Sequence, residues 1–385
     1  MKNFFILILG INALIGCKNE ENYNKEITKY VDFLKEDHKP AKEYILDLFE
    51  KNDLVILCER YHDENTQYEL ITDVISDTRF IKNVGNIFFE TGMRNINPEL
   101  NDFVHSENLP ENEIDEKLIA LQRKSDYFPL WEYYNFYYQN KQIYTINQSL
   151  SEDEKINIYA TDIELKLDSL SVEYLENFWN SDIDNRDKLM AEYIIDKFED
   201  IKNSDTKRKK ALIIMNYRHA YNKNFQEPNG EMIYNVGAFL FEKYPKTTAN
   251  VLINSIIMQD GKWDASFEVA KKDNLGVDFK NSPFGEEHFD MWSFTEHDDN
   301  YQDMFTGFAY YKSPKEFKLI TGVDGLIDSS FIQTYKNRVK LWQQVSEGEY
   351  PFNDDDIYKE YGRKNVLPLD NIDSISTLIN KWKTN

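Results

Sequence analysis

Six short, almost continuously apolar runs most narrow what this chain can fold into. They occupy residues 54–58, 84–89, 156–160, 211–215, 251–257 and 307–311. Runs this short are strand-length, and a strand that is apolar throughout, without alternation, belongs to a sheet covered on both faces. Between them lie segments with apolar residues at helical spacing. The segment 65–76 carries Tyr68, Leu70, Ile71, Val74 and Ile75, and longer ones cover about 111–140 and 168–203. Strand, helix and strand follow one another within residues 54–89, as in a βαβ unit. The expected fold is therefore α/β, a mainly parallel sheet flanked by helices with helical insertions. A hydrophobic share of 41%, with 25 Tyr, 25 Phe and 6 Trp, is enough to fill one large core. We expect a single α/β domain over 25–330, opened by two short helices that break near Pro40. A peripheral helical extension is expected over 331–385.

The first residues carry an address. Lys2 precedes an apolar stretch that is too short to span a bilayer and ends in small residues, so 1–16 has the form of a signal peptide. Leu14-Ile15-Gly16-Cys17 resembles the lipobox of bacterial lipoproteins. That resemblance implies cleavage before Cys17, lipidation of its thiol (palmitate among the acyl groups) and a membrane anchor. Residues 17–24 would then be a polar tether, and Lys18-Asn19-Glu20-Glu21 is similar to the short export tag of some surface lipoproteins. The implied location is the cell envelope, as an outer-membrane lipoprotein facing the periplasm or the exterior. With Cys17 lipidated, Cys58 is the one cysteine left, so no intrachain disulfide is expected. The 45 basic and 68 acidic side chains give a net charge of −23, which argues against nucleic acid as a partner. A small-molecule or envelope substrate is the expected partner, and protein partners are not specified by the sequence.

In open α/β sheets ligands bind outside the carboxyl ends of the strands. Those ends carry Glu59 and His62 after the first run, Glu90 after the second, Asp162 after the third and His219 after the fourth. Burying one such group alone is costly, so five at the same edge are expected to meet one another or a ligand.

The segment from Leu54 to Asp63, with Glu59-Arg60-Tyr61-His62, resembles the strand-Gly-Glu-x-x-His opening of the erythromycin esterase-like and ChaN-like superfamily, and His62-Asp63 is closer to the ChaN branch. Ile87-Phe88-Phe89-Glu90, Ile158 to Asp162, Ala211 to Tyr221 and Asp303 to Ala309 are similar to its later elements, in order, over roughly 50–312. The resemblance implies hydrolysis of an ester or acyl bond without a metal or other cofactor. His62 would be the general base, oriented by Glu90 or Glu59, and His219 would stabilise the oxyanion or protonate the leaving group. Asp162 would support them, and Arg60 and Arg218 would hold an anionic substrate group. Cys58 stands where the family has Gly, and Arg60-Tyr61 where the esterases have small residues, so a bulkier, charged rim is expected.

Two alternatives stay open. Glu59, His62, Glu90 and His219 form a plausible shell for a divalent metal, as in the similar Tiki and TraB-type proteins linked to metal-dependent peptidase activity. The ChaN branch is implicated in haem uptake, and Tyr217, His219 and Tyr221 are residue types that ligate haem iron. The run from Trp131 to Tyr138 can stack on a flat ligand or pack in the core along one helix face. His38 and His105 are expected on surfaces, whereas His288 and His297 fall in an acidic segment between the last two strands that can act as a lid. A scaffold used for protein contacts alone is a further class.

Overall fold

All six apolar runs are strands, and a seventh joins them. The computed structural model describes residues 23–125, 134–226, 230, 232–291, 298–346 and 352–384. The strands of the main sheet are β1 (Leu54–Glu59), β2 (Asn86–Met93), β3 (Asn157–Asp162) and β4 (Ala211–Asn216), followed by β7 (Thr248–Ile253), β8 (Asn274–Asp278) and β9 (Gly307–Tyr311). Two small antiparallel pairs complete the set, β5 (Phe225–Gln226) with β6 (Met232–Ile233) and β10 (Leu319–Thr321) with β11 (Asn365–Leu367). The sheet order is β3-β2-β4-β1-β7-β9-β8. Every pairing in it is parallel except β8 with β9. The fold is α/β, a mainly parallel sheet flanked by helices.

The apolar runs have no alternation because both faces are covered. Val55, Leu57, Ile87, Phe89, Leu212 and Ile214 join one core with the helices Ala41–Leu48, Thr66–Ile75, Asn97–His105 and Tyr134–Asn147. Their neighbours Leu54, Ile56, Phe88, Ile213 and Met215 join a second core with Thr28–Leu34, Arg186–Asn203, Val236–Lys243 and Lys262–Ala270. At roughly 25 cal/mol per Å² of apolar surface removed from water, these two layers are the main source of stability.

Four expectations are corrected. The second strand continues past Glu90 to Met93, with a register irregularity after Phe89 and Gly92 at φ +131, so Glu90 lies inside the strand. The fifth run is a strand over Thr248–Ile253 and stops before Ile256 and Ile257. The segment 331–385 is not peripheral. Its helix Ile372–Trp382 buries Ile375, Ile379 and Trp382 in the second core, and the Trp382 indole donates to the Asp260 carbonyl at 2.8 Å. The end of the expected tether is packed too, with Tyr23 buried and the Asn24 amide donating to the Trp382 carbonyl at 3.1 Å. Cys17 and the rest of 1–22 lie outside the described residues. No helix among the described residues is long and apolar enough to cross a membrane.

Candidate functional site

The carboxyl-terminal halves of four adjacent strands bring together Glu59, Glu90, Asp162 and Asn216, because β1, β2, β3 and β4 are neighbours and β1 pairs Glu59 beside Asn216. Three residues past β1 the chain turns back and sets His62 over this edge. Its Nδ1 is 2.5 Å from Glu59 Oε1, and its Nε2 is 3.7 Å from Glu90 Oε1. Glu59 and Glu90 are 0% and 1% exposed, whereas the His62 side chain keeps 14% of its surface. Tyr68 donates to Glu59 Oε2 at 2.5 Å and itself accepts from Asn135 Nδ2 at 2.8 Å. Glu90 Oε2 accepts the Asn216 amide at 2.7 Å.

The other half of the site is a fixed lattice. Arg186, the first residue of the helix Arg186–Asn203, grips Asp162 with two bonds of 2.8 and 3.0 Å and donates to Glu90 Oε1 at 3.1 Å. Its remaining terminal nitrogen is 3.1 Å from His219 Nε2. The next residue, Asp187, has both carboxylate oxygens 2.8 Å from His219 Nδ1. A guanidinium can only donate, so His219 Nε2 accepts from Arg186 while Nδ1 donates to Asp187. Both ring nitrogens of His219 are therefore engaged within the protein.

Three electrostatic consequences follow. Burial pushes the His62 imidazole down, but the carboxylates of Glu59 and Glu90 outweigh it, and the net shift is upward from the ordinary value. Burial likewise opposes the charge on Glu90, yet His62, the Arg186 guanidinium and the Asn216 amide hold its carboxyl far below the usual range. Asp162 is raised by burial, with the Arg186 guanidinium working against the shift.

The structure brings Glu59, His62, Glu90, Asp162 and His219 into one cluster and separates the rest of the expected set. Arg60 is wholly buried and cannot hold an anionic substrate. It donates to Glu64 Oε2 at 2.5 Å, to Asn254 Oδ1 at 2.8 Å and to the Tyr311 carbonyl at 2.6 Å, with its guanidinium 3.8 Å from the Phe317 ring centre. Cys58 also turns inward, into the second core. Of the bulky, charged rim expected from Cys58 and Arg60-Tyr61, Arg60 contributes no exposed charge and only Tyr61 is exposed. Arg218 is exposed, outside the Arg186 lattice. Tyr221 is buried against Phe225, Phe289 and Phe305, and His219 is engaged on both sides. Tyr217 is half-buried beside Tyr221.

Residues 131–133 of the aromatic run lie outside the described residues, and Phe136 and Tyr137 pack in the first core. His38 and His105 are half-buried, each facing a backbone carbonyl. His297 lies outside the described residues. The segment with His288 buries Phe289 and Met291 in the second core. Sequence reasoning missed Arg186, Asp187, Tyr68 and Asn216. The first two are ordinary charges at the start of an amphipathic helix, a pattern with no signal of its own.

A cavity of about 480 Å³ opens on His62, with Tyr61, Asp63 and Asn216 also in its wall. Two clefts of about 580 Å³ each open near residues that precede β1, β2 and β4, at the other end of the sheet, and touch none of the site residues.

Neither a family model nor a curated protein matches the chain. Among solved structures it is similar to a Bacillus cereus protein at 10% identity, covering 74% of this chain and 97% of that one with a TM-score of 0.45. A succinoglycan biosynthesis protein is also 10% identical, covering 74% and 96% with a TM-score of 0.44. ChaN of Campylobacter jejuni, solved with haem, is 10% identical over 57% and 87%, with a TM-score of 0.33. These are distant likenesses of fold.

Proposed function

We propose that the protein is a hydrolase of ester or similar acyl bonds, acting on a small-molecule or envelope substrate, with His62 as its general base. The observation that supports this is the position of His62, which lies between two buried carboxylates and lines a cavity that His219 and Asp162 do not reach. Glu59 beside Nδ1 fixes the ring and raises its basicity. His62 takes a proton from water as the hydroxyl oxygen adds to the acyl carbon, then returns that proton to the leaving oxygen as the acyl–oxygen bond breaks. Arg186 keeps Glu90 ionised, and Glu90 in turn favours the imidazolium that forms. Anchoring through lipid on Cys17, at the outer membrane, is part of this proposal.

The test is turnover of p-nitrophenyl esters by the wild type and by His62→Ala. A loss of about 10²–10⁴-fold is expected for a removed general base. An unchanged rate in the variant overturns the reading.

A second reading is favoured by one feature. Ligand atoms of Glu59, His62 and Glu90 all lie within 4.8 Å of one another, a donor set suited to a divalent cation. His219, expected in that shell, is outside it. One such ion would supply Lewis acidity to the same hydrolysis. Elemental analysis of the purified protein, alongside Glu59→Gln, separates the two. A stoichiometric metal lost in the variant establishes the metal-dependent form.

A further inference from the structure

The cavity beside His62 has a composition that bears on what it accepts. Five of its side chains, Ile256, Ile257, Leu319, Leu369 and Ile375, are apolar. They come from three separated stretches: the loop after β7, strand β10, and the entry and first turn of the helix Ile372–Trp382. The last of these is held in place by the bonds of Trp382 to Asp260 and Asn24. Apart from His62, the ionisable groups in this wall are the carboxylates of Asp63 and Asp370 together with the phenol of Tyr61, and the described lining contains no Lys or Arg.

We propose that this cavity is the acyl-chain subsite, and that it takes an apolar chain that is neutral or positively charged at its far end and rejects an anionic one. The inference rests on the hydrolase reading above and deepens it. A hydrocarbon chain entering beside His62 leaves water for a wall of branched aliphatic side chains, the usual character of small-molecule pockets. A carboxylate at the end of that chain meets Asp63 and Asp370 with no Lys or Arg in the described wall to offset them, and like charges at such a rim repel. An ammonium meets the opposite. The specificity wall is then supplied in part by residues 369–375, at the far end of the chain from the strands that carry His62, Glu59 and Glu90.

The experiment uses p-nitrophenyl acetate, hexanoate and hemisuccinate as substrates, with His62→Ala as the control. Binding of n-hexylammonium and n-hexanoate is followed in parallel by calorimetry. Ile257 is half-exposed and Asp370 exposed, so Ile257→Asp and Asp370→Lys test the wall without emptying the core. Melting temperatures verify that both fold. The wild type is expected to favour the hexanoate ester over the hemisuccinate by at least about tenfold in kcat/KM, the scale of one unfavourable charge contact. Ile257→Asp should lower kcat/KM for the hexanoate ester by about tenfold and leave the acetate nearly unchanged. Asp370→Lys should shrink the discrimination against the hemisuccinate by a similar factor. Turnover that depends on His62, but with a chain and charge preference unmoved by either variant, overturns the subsite and leaves the hydrolase reading standing. Binding of n-hexylammonium over n-hexanoate that Asp370→Lys abolishes, in a protein that turns over no ester, overturns the hydrolase reading and upholds the ligand class of the cavity.

Discussion

His62 and His219 sit on the same edge of one sheet, and both lie within 4 Å of Glu90 Oε1, at 3.7 and 3.4 Å. Their surroundings differ in what is left over. His219 has Asp187 on one ring nitrogen and Arg186 on the other, each from the first turn of one helix. His62 has Glu59 on Nδ1 and a cavity beside it. A histidine saturated by fixed partners contributes to the shape and charge of a site. One whose ring borders a cavity can exchange a proton with a ligand there. The lesson is that two histidines equivalent as sequence features take different roles because of residues the strands do not carry.

The largest effect should come from removing the group that joins the two halves. Arg186→Ala leaves Glu90 and Asp162 buried without their cation, a change that typically costs about 3–5 kcal/mol. Chemical unfolding of the variant should show that loss, and the melting temperature should fall with it. A variant of wild-type stability would mean that Glu90 and Asp162 are solvated or neutral, which would break the view of His219 as part of a rigid lattice.

The comparison also marks what the sequence could convey. The six apolar runs announced six strands, because a strand covered on both faces is apolar over most of its length. Strand β8 escaped notice. It is Asn274-Leu275-Gly276-Val277-Asp278, an edge strand with only two large apolar residues, paired antiparallel. Gly276 is small there because a side chain would strike the Tyr44 ring. The strand ends likewise pointed to Glu59, His62, Glu90, Asp162 and His219 as neighbours. The destination of Arg60 was not legible, since its partners Asn254 and Tyr311 lie some two hundred residues along the chain. The helix Ile372–Trp382 showed its apolar face in the spacing of Ile372, Ile375, Ile379 and Trp382, but local periodicity cannot say which surface that face covers.

A smaller effect separates the histidines by pH. His62 is raised in the folded protein above its ordinary value near 6.5, so its ion pairing contributes stability that is fully present below about pH 6.5 and is lost as pH rises through the folded value. Glu90 is depressed, so its contribution is present above about pH 4.5 and is lost on acidification. Activity that needs the neutral imidazole should rise over the window in which the His62 contribution to stability falls. The slope of stability above pH 6.5 is bounded at about 1.4 kcal/mol per pH unit for one proton. Unfolding measured from pH 6 to 9 should show this decline in the wild type and its disappearance in His62→Ala. A decline that survives the substitution would assign it to another group.

Asp187→Asn should act more gently still, and only through His219. An amide in place of the carboxylate can offer either an oxygen or an NH₂ to Nδ1, so the imidazole is no longer held in the tautomer whose Nε2 accepts from Arg186. Arg186 then loses one of its four acceptor contacts and Glu90 a fixed neighbour, while His62 keeps Glu59. The expected result is a fall in kcat of about tenfold, equivalent to roughly 1.4 kcal/mol, with KM nearly unchanged, since His219 does not line the cavity. Asp187→Glu, which restores a carboxylate, should recover part of the loss. A fall in KM terms alone, or a loss as deep as that of His62→Ala, would show that His219 touches substrate and that the two histidines act as equals.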